Sequence, residues 1–394
     1  MFFKLFKIFH LHALSLVITS IPSTSYVVCN HLEGCDELQV HKIASIPGDG
    51  IGPEVMKEAL KVLSAVEEIH GNLRFEVDSF NWNCKRYLET GRMMPEDGIA
   101  ILAPYDAILF GAVGSPEVPD HISVWELILP IRREFQQYVN LRPIKLLKGI
   151  ESPLTNKGVE EIDFIVVREN TEGEYSNSGG RLHIGTPHEV VVQNSVFTKM
   201  GSERILKYAY ELAQKRESPH LSIATKSNAL NFSMPFWDEV AKAIGNDYKN
   251  IEPKFYHIDA LVAFFVSKPE IFDVVVGSNL FGDILTDLGA AISGGLGIAP
   301  SGNINPEKTY PSMFEAIHGS APDIANKGIA NPIAQIWSTA LMLEHLEYPE
   351  LAKAIVAGIE ETLVDFEIRT PDLGGTASTS QFADKIIENI KKQA

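Results

Sequence analysis

From Lys42 onward the chain alternates short apolar runs with longer stretches whose apolar residues recur at helical spacing. Ile43–Ile46 is the first run, and Pro-Gly-Asp-Gly-Ile-Gly at 47–52 ends it. Beyond that turn Val55, Ala59, Val62, Leu63 and Val66 share one helical face. Pro53 suits the first turn of that helix, where its missing amide hydrogen costs nothing. Further strand candidates are Ala107–Phe110, Phe164–Val167, Val190–Val192, Leu221–Ala224 and Asp273–Val276, with further helices at Ser202–Lys215 and Asp283–Ala291. Such alternation predicts an α/β fold with a largely parallel or mixed sheet.

Three of these apolar runs pass directly into polar clusters. The first ends in Arg168-Glu169-Asn170-Thr171-Glu172-Gly173-Glu174-Tyr175, the second in Lys226-Ser227-Asn228, the third in Ser278-Asn279-Leu280-Phe281-Gly282-Asp283. In open α/β sheets ligands bind beyond the carboxyl ends of strands, so a site is expected there.

Bulk properties narrow the classes. At 394 residues the chain exceeds what one domain usually holds, so two domains or a discontinuous pair are expected. The 45% hydrophobic content excludes disorder over most of it. Acidic residues outnumber basic ones by 51 to 34, which makes nucleic acid a poor partner. An anionic substrate would need a few local cations. Cys29, Cys35 and Cys84 build no disulfide framework in the body and no metal-type spacing.

The first 41 residues read differently. Lys4 and Lys7 precede an apolar run from Leu11 to Ile21, and no acid occurs before Glu33. The pattern resembles a secretory signal and is too short to span a membrane. The alternative is a non-native start before a body that begins near His41. A mitochondrial presequence fits less well, because the stretch has no Arg.

Asp283 and Asp287 lie four apart on a predicted helix start, so both carboxylates face one side, as a hard cation requires. A charged helix N-terminus explains the same spacing. Asp259, in an apolar context, is a third candidate that needs a partner if buried. Arg132, Arg142 and Arg168 could clamp a dicarboxylate through planar paired donors, although each alone, Arg133 above all, also suits an ordinary surface. Gly48, Gly50 and Gly52 form G-x-G-x-G, not the G-x-G-x-x-G of dinucleotide folds, and a tight strand-to-helix turn accounts for them equally well. Tyr175 and Lys226 are the ionisable pair suited to acid–base work.

Taken in order, residues 46–54, Asn140-Leu141-Arg142-Pro143, 168–175, Ala224-Thr225-Lys226-Ser227-Asn228, 279–287 and His318-Gly319-Ser320-Ala321-Pro322-Asp323-Ile324 resemble the metal-dependent β-decarboxylating dehydrogenases, the isocitrate and isopropylmalate dehydrogenases among them. The resemblance runs from about His41 to the C-terminus. Gly111-Ala112-Val113-Gly114, Val118-Pro119-Asp120-His121, Arg133-Glu134-Phe135 and the 169–175 segment look like the tartrate/D-malate dehydrogenase branch.

The resemblance implies an isopropylmalate dehydrogenase-like α/β fold, two domains around a central cleft, not a Rossmann fold. Residues 42–137 with 294–394 would form the cofactor-binding domain, and 138–293 the central dimerisation and metal–substrate domain. Arg132, Arg142 and Arg168 would hold the carboxylates of a small dicarboxylic hydroxy acid. Asp283, Asp287 and a partner subunit's Asp259 would hold Mg²⁺ or Mn²⁺. A partner's Lys226 would be the general base and Tyr175 the general acid. His318, Gly319, Ser320, Ala321, Asp323 and Asn331 would form the adenosine site, with Glu315 a second cofactor contact. Asp323 would accept from ribose hydroxyls and repel a 2′-phosphate, which implies NAD. The resemblance leaves a monovalent-cation requirement open. A homodimer without nucleic-acid or membrane partners is implied, and use of NAD places it in the cytoplasm.

Two features depart from the branch. Ser115 stands where many members carry Trp, in a loop one residue shorter. Leu129-Pro130-Ile131-Arg132 resembles isopropylmalate dehydrogenases, in which apolar residues before the Arg meet an isopropyl group. The alternative substrate is therefore 3-isopropylmalate. The Ser-x-Asn segment of isocitrate enzymes before the Arg is absent. A non-catalytic regulatory subunit of the same fold is the reading from another class.

Overall fold

A computed structural model describes residues 38–393. The signal-like reading of the N-terminal stretch falls almost wholly outside these residues. Twelve strands are described: β1 (Gln39–Gly48), β2 (Leu73–Ser79), β3 (Ala107–Ala112), β4 (Val139–Lys145), β5 (Asp163–Glu169), β6 (Gly173–Leu182), β7 (Val190–Val196), β8 (Leu221–Thr225), β9 (Lys254–His257), β10 (Val274–Gly277), β11 (Pro300–Ile304) and β12 (Ser312–Ala316). Ten form one mixed sheet in the order β2-β1-β3-β12-β11-β4-β5-β10-β8-β9, and β6 pairs with β7 in a separate ribbon. The strands of 39–112 and 300–316 fill one half of the sheet; those of 139–145 and 163–277 fill the other.

The expected mixed α/β architecture is present. β1 starts earlier than the apolar run indicated, because Gln39–Lys42 also pair in parallel with β2. Their side chains are mostly exposed, so no hydrophobic pattern marked them. β10, by contrast, is Val274-Val275-Val276-Gly277 and wholly buried. A strand covered on both faces reads as a continuous β-branched run, and each Val contributes about 2 kcal/mol by leaving water. β10 pairs in parallel with β5 on one side and β8 on the other. The three polar clusters that follow these strands therefore emerge side by side.

The helix carrying the two aspartates runs from Asn279 to Ile292, four residues longer at its start than expected. Asp283 thus sits a full turn inside it, and helix capping no longer explains that residue. The cap comes from elsewhere. Glu174 of β6 accepts from the Leu280 amide at 3.1 Å and from the Ser278 hydroxyl at 2.8 Å, placing a carboxylate at the helix's positive end. Gly282 allows this helix to pass against β5. A Cβ there would lie 2.5 Å from Arg168 Cβ.

The glycine turn at 48–52 packs on backbone. Gly50 has φ +58°, and a Cβ on it would lie 1.9 Å from the Ser320 carbonyl oxygen. The Ile51 amide donates to that same carbonyl at 2.8 Å. These glycines seat the 318–324 loop against the start of the first helix, Gly52–His70.

Candidate active site

Arg142 lies on β4 and Arg168 on β5, in neighbouring antiparallel strands, and Arg132 on the short helix Leu129–Glu134. Arg142 is 7% exposed and Arg168 3%. Burial first, and then the neighbouring Arg168, pull the Arg142 guanidinium down to about 9, still a cation at neutral pH. Arg168 is also lowered, by burial and by Arg132, against the pull of Asp283. Three like charges are thus held close together. Arg132 Nη2 pairs with Glu315 Oε1 at 2.7 Å, and Arg142 Nη1 donates to the Thr286 hydroxyl at 2.5 Å. The Nε–H groups of Arg132 and Arg142 are buried without a hydrogen-bond partner among the described residues. An orphaned cationic donor in such a place invites an anion.

Arg132 and Arg142 line a cavity of about 180 Å³ together with Glu315, His318, Gly319 and Ile128. Leu129 and Ile131 do not line it: both are buried, Ile131 in the apolar core beneath the helix. Its apolar lining includes Ile128 and Val113 together with Phe110, Ala112, Ala316 and Ile317.

Asp283 faces this group of cations. Arg168 Nη1 pairs with its Oδ1, Tyr175 donates to its Oδ2 at 2.8 Å, and Arg142 lies 4.0 Å away. Burial pushes its carboxyl up, but Arg168, the Tyr175 hydroxyl and Arg142 outweigh burial and hold it below its ordinary value. Asp287 lies 3.8 Å from Arg142 with its side chain 64% exposed. Burial, then the Asp283 carboxylate opposite it, raise the Tyr175 hydroxyl above its ordinary value.

Lys226, just after β8, pairs with Asp259 at the start of the helix Ile258–Ser267, Nζ to Oδ2 2.8 Å. Asp259 is exposed, with a side-chain accessibility of 68%, so its apolar context did not mean burial. Neither residue bonds or pairs with Asp283, Asp287 or Tyr175 among the described residues. No cluster of three metal-ligating side chains occurs among the described residues of one chain. Asp283 and Asp287 supply two hard oxygen donors on one helix face, which fits a cation that takes its remaining ligands from substrate, water or another subunit.

The residues expected to hold the cofactor are only partly gathered. His318 and Gly319 line the cavity. His318 Nδ1 contacts the Gly319 carbonyl at 2.9 Å, while its buried Nε2 has no partner among the described residues, an orphan that suits a bound cofactor. Ser320 is buried, Ala321 half-buried at φ +40°, and Asp323 exposed. Asn331 is already used: it donates to Asp372 at 3.0 Å and accepts from the Ile333 amide.

With this geometry in view the relatives are informative. A model of the isocitrate/isopropylmalate dehydrogenase family matches residues 42–386. The chain belongs to that family. It is 53% identical over 352 residues to the probable tartrate dehydrogenase/decarboxylase of Bacillus subtilis, covering 89% of this chain and 98% of that protein. It is 53% identical over 360 residues to the D-malate dehydrogenase [decarboxylating] of Escherichia coli, covering 90% and 99%. The isocitrate dehydrogenase structure from Methylococcus capsulatus superposes with a TM-score of 0.78 at 33% identity, covering 89% of this chain and 99% of that one. The chain is a dehydrogenase of this fold, in the branch its motifs indicated.

Several site residues escaped sequence reading. Asn279 accepts from Arg168 Nη2 at 2.8 Å and donates to the Glu172 carbonyl at 3.1 Å. Asn303 on β11 is fully buried, accepts from Asn140 and Asn170 at 2.9 Å each, and donates to Glu315 at 2.7 Å. It thereby ties β4 and the 170 turn to the carboxylate that holds Arg132. Its strand, Pro-Ser-Gly-Asn-Ile, has no apolar pattern that could have singled it out. Arg133, set aside as surface, donates to the Tyr175 carbonyl at 2.9 Å.

Proposed function

We propose that this chain oxidises D-malate, tartrate or both with NAD and a divalent metal ion, and releases the carboxylate β to the new ketone as carbon dioxide. The observation that carries this reading is the trio Arg132, Arg142 and Arg168: Arg132 and Arg142 line the cavity that His318 and Glu315 also line, and each keeps a buried Nε–H without a partner among the described residues. The names of the two relatives support the substrate class, and assay of NAD reduction across hydroxy acids tests it.

Arg142 and Arg168 bind the carboxylate nearest the aspartates, and Arg132 binds the distal one, held in place by Glu315. The bound metal would supply a Lewis acid at the 2-hydroxyl and its carboxylate, and NAD an acceptor for the hydride from C2. Asp283 and Asp287 of one subunit, with Asp259 of a second, would hold that metal. Lys226 of the second subunit takes the hydroxyl proton, and Tyr175 delivers a proton to C3 after carboxylate loss. Closure of residues 42–137 with 294–394 onto 138–293, as two domains, excludes water from the cleft.

A homodimer accounts for surfaces that otherwise lack a reason. In the β6/β7 ribbon Leu182, Val190, Val191 and Val192 are 46–65% exposed, and Phe232, six residues beyond Lys226, is 92% exposed. A two-stranded ribbon is marginal alone and needs a surface to cover it. No described helix is long and apolar enough to cross a membrane. The cytoplasm, where NAD is available, is the compartment proposed.

3-Isopropylmalate is the competing substrate, and Ile128 and Val113 are the residues that would meet its C3 group.

A further inference from the structure

Tyr175 lies where its strand loses register. Gly173 pairs with Val196, and the next pair is Ser178 with Asn194, so the residues between are left out of the ladder. A bulge of this kind re-aims a side chain but leaves backbone groups unpaired. The Tyr175 carbonyl is one of these, and it accepts instead from Arg133 Nη2 at 2.9 Å. The Arg133 guanidinium in turn lies over the Trp125 ring, 5.0 Å from its centroid. Trp125 belongs to the π-helical turn Val124–Ile128, which runs straight into the helix Leu129–Glu134 that bears both arginines. That helix therefore reaches two places at once. Arg132 pairs with Glu315 at the cavity, while Arg133 reaches across to the strand carrying the phenol.

We infer that Arg133, backed by Trp125, is a positioning residue for Tyr175, a role that rests on Tyr175 being the acid that protonates C3. The clamp fixes the backbone from which the phenol projects. The far end of the same side chain is already set by Asp283 at 2.8 Å and by Arg168, whose guanidinium lies 5.5 Å from the ring centroid. With both ends fixed, the hydroxyl holds one position instead of sampling the freedom of a bulge. Stacking on an aromatic face combined with a directed N–H donor is a combination that guanidinium supplies and an ammonium does not.

The test is a double-variant cycle in the full-length protein with NAD, Mn²⁺ and whichever of D-malate or tartrate it turns over better. Arg133→Met should lower kcat by about ten- to 100-fold, the cost of a misplaced catalytic group, with KM changed less than about twofold. In the Tyr175→Phe background the same change should cost nothing further, because the hydroxyl being positioned is gone. Arg133→Lys should recover only a minor part of kcat. Trp125→Leu, which leaves the guanidinium in place, should lower kcat in the same non-additive way, and it keeps the test open if Arg133→Met folds poorly. Multiplying losses in the double variant, or a raised KM at unchanged kcat, would overturn the clamp while sparing the acid assignment. Wild-type turnover by Tyr175→Phe would overturn the acid assignment and the clamp with it.

Discussion

The Tyr175 hydroxyl donates to Asp283 Oδ2 across 2.8 Å. The proposed acid and a proposed metal ligand are thus one hydrogen bond apart, and the other oxygen of the same carboxylate pairs with Arg168. Arginine, carboxylate and phenol form a chain in which charge gained or lost by one member is felt by the others.

Asp283→Asn keeps the shape of the side chain but removes the negative charge and one of the two acceptor oxygens that Tyr175 and Arg168 share. Metal-dependent turnover should fall by about 100-fold or more, since a divalent cation contributes several kcal/mol to such chemistry. Titration with Mn²⁺, followed by calorimetry, should show affinity falling in parallel. Unchanged Mn²⁺ affinity would remove Asp283 from the metal site.

Lys226 pairs with Asp259 and not with Asp283 in one chain, so the shared site makes a mixing prediction. Lys226→Ala and Asp283→Asn should each be inactive alone. Co-expressed, they should regain about one quarter of wild-type activity, because half the dimers are mixed and each restores one of two sites. No recovery would place all catalytic groups within one chain.

Asp323 is exposed at the mouth of the loop that begins with His318. Its charge should make NADP the poorer cofactor through repulsion of the 2′-phosphate. Asp323→Asn should narrow the ratio of kcat/KM between the two cofactors by about tenfold, mostly by relieving the repulsion of NADP. A ratio that does not move would assign cofactor choice elsewhere.

His345 supplies a pH dependence away from the site. Burial first, then the neighbouring Lys308, push its imidazole down to about 4, against the opposing pull of Glu347. The Phe314 ring centroid lies 5.6 Å away. The native state thus holds a neutral ring that the unfolded chain protonates near pH 6.5. A lowered folded value means stability is fully present above that unfolded value and is lost as pH falls toward about 4. The loss should be about 3 kcal/mol, seen in urea denaturation between those limits. His345→Gln should flatten that slope; an unchanged slope would assign the acid sensitivity to other groups.

The sheet was legible because its inner strands are apolar runs that end abruptly in charge. Phe164–Val167 into Arg168 and Val274–Val276 into Ser278 mark strand, strand end and site in one pattern. Residues whose role depends on a neighbour distant in sequence were not legible. Arg133 has no local feature that separates it from a solvated arginine, and only the bulge at Tyr175 gives it a target. Asn303 is equally silent until β11 is seen between β12 and β4. Leu129 and Ile131 are both buried while the neighbouring Ile128 lines the cavity, a difference that the apolar run alone does not mark.

The most direct test of the central claim is NAD reduction, followed by absorbance, by the chain starting near His41. The assay contains Mn²⁺ and D-malate, L-tartrate, meso-tartrate, 3-isopropylmalate or isocitrate in turn. D-malate or a tartrate should be turned over with the highest kcat/KM, with activity lost on chelation. Preference for 3-isopropylmalate would contradict the substrate assignment and make Ile128 and Val113 its specificity pocket. Binding of these acids without turnover of any would contradict catalysis itself and favour a regulatory subunit.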